Sequence, residues 1–91
     1  VGVCEAVEEL GLADTIQVVG FDAYDGAMAR LGSGVLDGVI VQNPYNMGYL
    51  GVRYAVKCLN QEQITHIVDT GVTLVTKSNM NDEDVQWLLS N

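Results

Sequence analysis

The chain has one proline, one histidine, two cysteines and only four basic residues among its 91. Each shortage excludes something. Set against 12 acidic residues, the four basic ones leave a net charge of −8, which repels phosphate backbones and anionic lipid. Nucleic acid is therefore not expected as a direct partner, and the acidity itself reads as solubility. Cys4 and Cys58 lack a C-x-x-C spacing, so no zinc or dithiol motif is present. Both sit among apolar helical neighbours and read as buried structural thiols, with a disulfide between them left open. His66 has no Cys, His or second carboxylate at ligand spacing, so neither a metal nor a catalytic role is expected, and no cofactor is implied. Gly32-Ser33-Gly34 lacks the lysine and spacing of a phosphate loop, and no Ser–His, Cys–His, G-x-S-x-G or H-E-x-x-H set occurs. An enzyme is not expected. No window reaches the roughly 18 apolar residues that span a bilayer, and no charged start with an apolar core marks a signal peptide.

What remains is a folded, mostly apolar chain. Hydrophobic residues make up 48% and charged residues 18%, which argues against disorder. The length allows one small domain with a modest core. Low-complexity segments, repeats and Pro/Gly-rich linkers are missing, so composition marks no boundary. Val1-Gly2-Val3-Cys4-Glu5 already reads as the inside of an amphipathic helix, and the chain is expected to be a piece of something longer.

Helix and strand signals alternate. Val3, Ala6, Val7 and Leu10 recur at helical spacing, opposite Glu5, Glu8 and Glu9, with Gly11 as a stop. Ile16 to Phe21 is a short β-branched run, read as a buried strand. Ala27, Met28 and Leu31 predict a short helix ended by Gly32-Ser33-Gly34. Val39-Ile40-Val41 is a second buried strand. Asn43-Pro44 is an N-cap followed by proline at the first helical position. The helix it opens keeps Met47, Leu50, Gly51, Tyr54, Ala55, Cys58 and Leu59 on one broad face. Val68 to Val75 predicts a third strand. Asn81 with Asp84 marks a last helix with Val85, Leu88 and Leu89 as its apolar positions. The order α-β-α-β-α-β-α points to an α/β fold, a parallel sheet with alternating helices.

Two strand ends carry the polar residues of most interest. Asp22 follows Val18-Val19-Gly20-Phe21, and Gln42 follows Val39-Ile40-Val41. In a parallel α/β sheet the carboxyl ends of the strands form the ligand crevice. An ionised Asp22 can accept from two neighbouring hydroxyls through charge-assisted bonds, or it can cap the next helix. Gln42 offers both an acceptor and donors, as a polyol requires, or it can be satisfied by backbone. Phe21, Tyr24 and Tyr45 flank the pair and could pack on the C–H face of a sugar ring, although ordinary packing accounts for each as well. Trp87 reads as core or interface, and Asp69 before Thr70-Gly71 as a turn or junction.

Three stretches, VVGFDAYDGAMARL, LDGVIVQNPYNMGYLGVRYAV and IVDTGVTLVTKSNMNDEDVQWLL, resemble the C-terminal part of type 1 periplasmic sugar-binding proteins of the ribose- and galactose-binding group. The likeness covers nearly the whole chain and rests on GFD at one strand end, Q-N-P-Y-x-M-G-Y after the next, and D-T-G-V-x-L-V-T. It implies a two-lobed fold that traps a sugar between α/β domains joined by three hinge crossings, of which this chain is the last third. Asp22 and Gln42 are then sugar contacts. Gln42-Asn43 forms the second crossing and Asp69-Thr70 the third. Residues 1–42 and 70–91 belong to the C-terminal lobe and 43–69 to the N-terminal lobe. The implied partners are a small neutral sugar and an ABC transporter permease or other membrane receptor. The implied location is periplasmic or extracellular, as a cell-surface lipoprotein in a Gram-positive organism. Half a cleft cannot close on a sugar, so weak binding or none is expected of the isolated chain.

Three alternatives share parts of this pattern. The core of a lactose-repressor-type transcription regulator has the same fold, and a sensor-kinase input domain is similar. A phospho-acceptor receiver domain would use Asp22 as acceptor, with Lys77 after the third strand.

Overall fold

The computed structural model describes residues 1–90. Seven elements follow in the expected order: α1 Gly2–Glu9, β1 Val19–Phe21, α2 Ala27–Ser33, β2 Gly38–Gln42, α3 Pro44–Leu59, β3 Val72–Val75 and α4 Glu83–Ser90. The last helix starts at Glu83, later than Asn81, with the Asp82 carbonyl accepting from the Gln86 amide at 2.9 Å. Helix α2 stops where Gly34 adopts φ 89°, a left-handed conformation open to glycine at little cost.

The three strands lie in the order β1-β2-β3. β1 and β2 are parallel, with Val19 opposite Gly38 and Phe21 opposite Ile40. β3 runs antiparallel to β2, with Val39 opposite Val75 and Gln42 opposite Val72. The sheet is mixed, which corrects the wholly parallel expectation. A parallel third strand needs a connection that carries the chain back to the start of β2. Here α3 leaves from the end of β2, and residues 60–71 return to that same end. Gly38 packs closely under Leu74, and a Cβ there would lie 2.9 Å from Leu74 Cδ1, so the leucine side chain would have to shift.

The core joins α1, α2, α4 and the sheet. Cys4, Val7, Ala27, Leu31, Val35, Leu36, Val39, Val41, Val75, Val85 and Leu88 form one buried cluster. Val39 and Val41 share a face of β2, as alternation requires. The expectation of two buried strands holds for β2 alone. Among the described residues β1 is an edge strand, and Val19 and Phe21, which share one of its faces, are 61% and 64% exposed because that face is not buried by another element. Helix α3 has no buried residue, so its broad apolar face lies against no core. Cys58, on that helix, is exposed and Cys4 is buried, and both are free thiols. The molecule is correspondingly elongated. Its radius of gyration is 17.3 Å, against about 12 Å for a compact chain of this length.

Arg30 ties α2 to α1. Its guanidinium donates to Glu8 Oε1 at 3.2 Å and to the Tyr24 hydroxyl at 3.2 Å, with Glu5 at 4.0 Å. The bond to Tyr24, with a further contribution from Glu8, raises the Arg30 pKa above its ordinary value, against partial desolvation that lowers it. No helix among the described residues is long and apolar enough to cross a membrane.

Candidate functional site

Three chain segments converge at one end of the sheet. β1 ends there at Phe21, β2 ends there at Gln42, and antiparallel β3 begins there at Val72. The topology thus brings Asp22, Gln42 and residues 69–71 to one place from distant points in the sequence.

Asp22 and Gln42 touch. Gln42 Nε2 donates to Asp22 Oδ1 at 2.9 Å. The Asp22 amide donates to the Ile40 carbonyl at 2.7 Å, so the parallel ladder continues one residue past β1. Asp22 itself has φ 63°, a left-handed conformation that Asp tolerates better than most residues. It does not cap α2, whose N-cap is Gly26 without a side-chain bond. The capping alternative is therefore excluded, and the carboxylate faces solvent at the sheet end. Gln42 is half-buried beside it.

A cleft of about 380 Å³ adjoins the pair, lined by Asp22, Ala23, Val41, Gln42, Pro44, Met47, Leu88 and Leu89. Its apolar wall comes from α3 and α4. Reading the residues singly missed Met47, Leu88 and Leu89 as lining. The helical spacing of Leu88 and Leu89 was visible, but which end of the sheet α4 approaches was not.

The aromatic residues are placed differently. Phe21 and Tyr24 line a separate depression with Val1, Val3, Cys4 and Leu36. The Tyr24 hydroxyl donates to Cys4 Sγ at 3.7 Å and accepts from Arg30. Tyr45 meets Trp87 edge to face, with centroids 5.4 Å apart, so Trp87 links α4 to the start of α3.

The start of α3 and residues 69–71 run side by side. Asn43 Oδ1 accepts from the Asn46 amide at 3.0 Å, capping α3. Asn46 Nδ2 in turn donates to the Thr70 carbonyl at 3.2 Å. Asp69 Oδ1 accepts from the Gly71 amide at 2.8 Å, forming the expected turn, with Gly71 at φ 85°. One asparagine therefore links the first turn of α3 to the segment that leads into β3.

Lys77 lies beyond the end of β3. Because β3 is antiparallel, that end faces the start of β2, opposite to Asp22. A receiver site pairing Asp22 with Lys77 is excluded by this topology. His66 is exposed, and no group of three or more His, Cys, Asp or Glu side chains that could hold a metal occurs among the described residues.

Comparison with known proteins adds to this geometry. The family described as periplasmic binding protein domain matches residues 1–63. The chain belongs to that family. Among solved structures, a carbohydrate transporter solute-binding protein from Agrobacterium radiobacter, in complex with D-arabinose, is 42% identical with a TM-score of 0.82. An ABC transporter solute-binding protein from Agrobacterium vitis, bound to α-D-tagatopyranose, is 36% identical with a TM-score of 0.86. A second one from Agrobacterium vitis, with D-fucose, is 32% identical with a TM-score of 0.80. Each alignment covers 97% of this chain and 30% of the other. The chain thus spans under a third of the length of the structures it matches. No curated protein matches it.

Proposed function

We propose that this periplasmic-binding-protein chain carries one side of a sugar site and two of its hinge crossings, in the substrate-binding component of an ABC transporter. The observation that carries the reading is the Asp22–Gln42 contact, at the sheet end where Gln42-Asn43 and Asp69-Thr70 run side by side. On this reading residues 1–42 and 70–91 form part of the C-terminal lobe, and 43–69 part of the N-terminal lobe. Asp22 and Gln42 hydrogen-bond ligand hydroxyls. Of the three aromatic candidates for ring packing, Tyr45 at the start of α3 is kept, whereas Phe21 and Tyr24 line a separate depression. The sugar-bound relatives support a neutral monosaccharide as ligand class.

The mechanism is binding by closure, without a chemical step. Hydroxyls bonded to Asp22 lose water on the lobe side, and the second lobe covers the sugar by rotation about the crossings. Closure changes the outer surface, which a membrane permease reads. The location consistent with this role is periplasmic or extracellular.

A chimera tests the proposal. The segment of the Agrobacterium radiobacter protein aligned with this chain is replaced by this chain, and D-arabinose binding is measured by calorimetry. The chimera is expected to bind. Asp22→Ala should weaken binding about 100-fold, given two charged hydrogen bonds of about 1.5 kcal/mol each. Unchanged affinity in Asp22→Ala counts against the site.

A further inference from the structure

We infer that Asn46 is a positioning residue, a clasp that makes the two connections between the sheet and α3 turn together, with Asn43 and Gly71 as pivots. The inference rests on the hinge part of the proposed function for what such turning serves. The clasp itself rests on geometry. The ladder between β2 and β3 ends at Gln42 opposite Val72. Beyond it the two segments part, Asn43 leading into α3 and Gly71 coming back from residues 60–70. Within the first turn of α3 they are joined again, where Asn46 Nδ2 donates to the Thr70 carbonyl at 3.2 Å. The ladder and this bond therefore bracket the two connections.

Both ends of the clasp are held. The Asn46 backbone amide donates to Asn43 Oδ1 at 3.0 Å, which fixes it in the first helical turn. Asp69 Oδ1 accepts from the Gly71 amide at 2.8 Å, a local turn that holds the Thr70 peptide between them. Inside the bracket few torsions are free. The Pro44 ring locks one, and Tyr45 is already helical. What remains is Asn43, at φ −110° and ψ 84°, and Gly71, at φ 85°, where glycine turns at little steric cost. Because α3 buries no residue, no core fixes its angle to the sheet. Its edge-to-face contact from Tyr45 to Trp87 tolerates a range of angles. Asn46 is not among the residues lining the cleft beside Asp22, so it acts on a ligand through the hinge.

The test uses the 91-residue chain, which has one tryptophan, Trp87, and one exposed cysteine, Cys58, near the end of α3. Trp87 rides on α4, which Val85 and Leu88 anchor in the core. A fluorescent acceptor on Cys58 and time-resolved energy transfer from Trp87 give the spread of distances between α4 and the far end of α3. Asn46→Asp keeps the shape, loses the donor and places an acid in the first helical turn, which favours the helix. At neutral pH it is expected to broaden the distance distribution while helicity by circular dichroism stays equal or rises. An unchanged spread overturns the inference. Broadening with lost helicity overturns it too, because α3 would then fray rather than swing. In the Agrobacterium chimera, Asn46→Asp should weaken D-arabinose binding about tenfold, since closure then has to order a looser hinge. Unchanged affinity there, with the broadening present in the 91-residue chain, upholds the clasp and contradicts the hinge reading.

Discussion

The sheet half of the molecule and its helical arm carry apolar residues at comparable density, yet only one of them has a core. Every buried side chain lies in residues 1–42 or 72–90, and none lies in 43–71. On the sheet side, Ala27, Leu31 and Val75 are fully enclosed. On the arm, Met47 is 42% and Leu59 83% exposed. Between α3 and the returning segment lies an apolar groove lined by Met47, Leu50, Tyr54, Ile64 and Val68. An amphipathic helix therefore shows that a face is to be covered, without showing that the cover is in the same chain.

The largest expected effect falls on the sheet side. Leu31→Ala should lower unfolding stability by about 3 kcal/mol, as fully buried leucines do. Val52→Ala, on the exposed side of α3, should change it by less than about 0.5 kcal/mol. Denaturant midpoints read both, and similar values would erase the distinction. Next in size is a contrast in hydrogen exchange. The β2 amides should open only with global unfolding, whereas α3 amides should exchange at nearly solvent rates. Equal protection would mean that the arm is cooperative with the sheet. Asn43→Ala should then cost α3 about 1 kcal/mol through loss of its cap. The loss should appear as reduced helicity in α3 while β2 resonances stay in place.

The smallest expected effect concerns Arg30. Arg30→Lys gives up the fork that reaches both Glu8 and Tyr24, and a slight fall in thermal midpoint is expected. The raised Arg30 pKa contributes stability that is complete below the unfolded value and lost only as pH rises through the folded one. Its contribution should therefore be flat across neutral pH. A drop in stability between neutral and mildly alkaline pH that Arg30→Lys abolishes would contradict this.

Element order and type were legible because each element has its own signal, such as Asn43-Pro44 for the start of α3 and Gly34 for the end of α2. The direction of β3 was not. Val72 to Val75 looks the same in either orientation, and only the return of residues 60–71 to the end of β2 decides it. The exposure of Val19 and Phe21 was hidden for a related reason, since strand position in a sheet is not a local property. Asp22 and Gln42 could be picked out as strand-end polar residues at matching places. Their direct contact was not legible, because it depends on the register that sets Phe21 opposite Ile40. Tyr24 is close to the pair in sequence, but its hydroxyl lies between Cys4 and Arg30, away from the site.

The central claim is that this chain holds one side of a sugar site that needs another lobe to close. Calorimetric titration of D-arabinose into the 91-residue chain and, in parallel, into the Agrobacterium chimera tests it most directly. The account predicts that the chimera binds at least about 1,000-fold more tightly, a difference of about 4 kcal/mol. Micromolar binding by the 91-residue chain alone would contradict it.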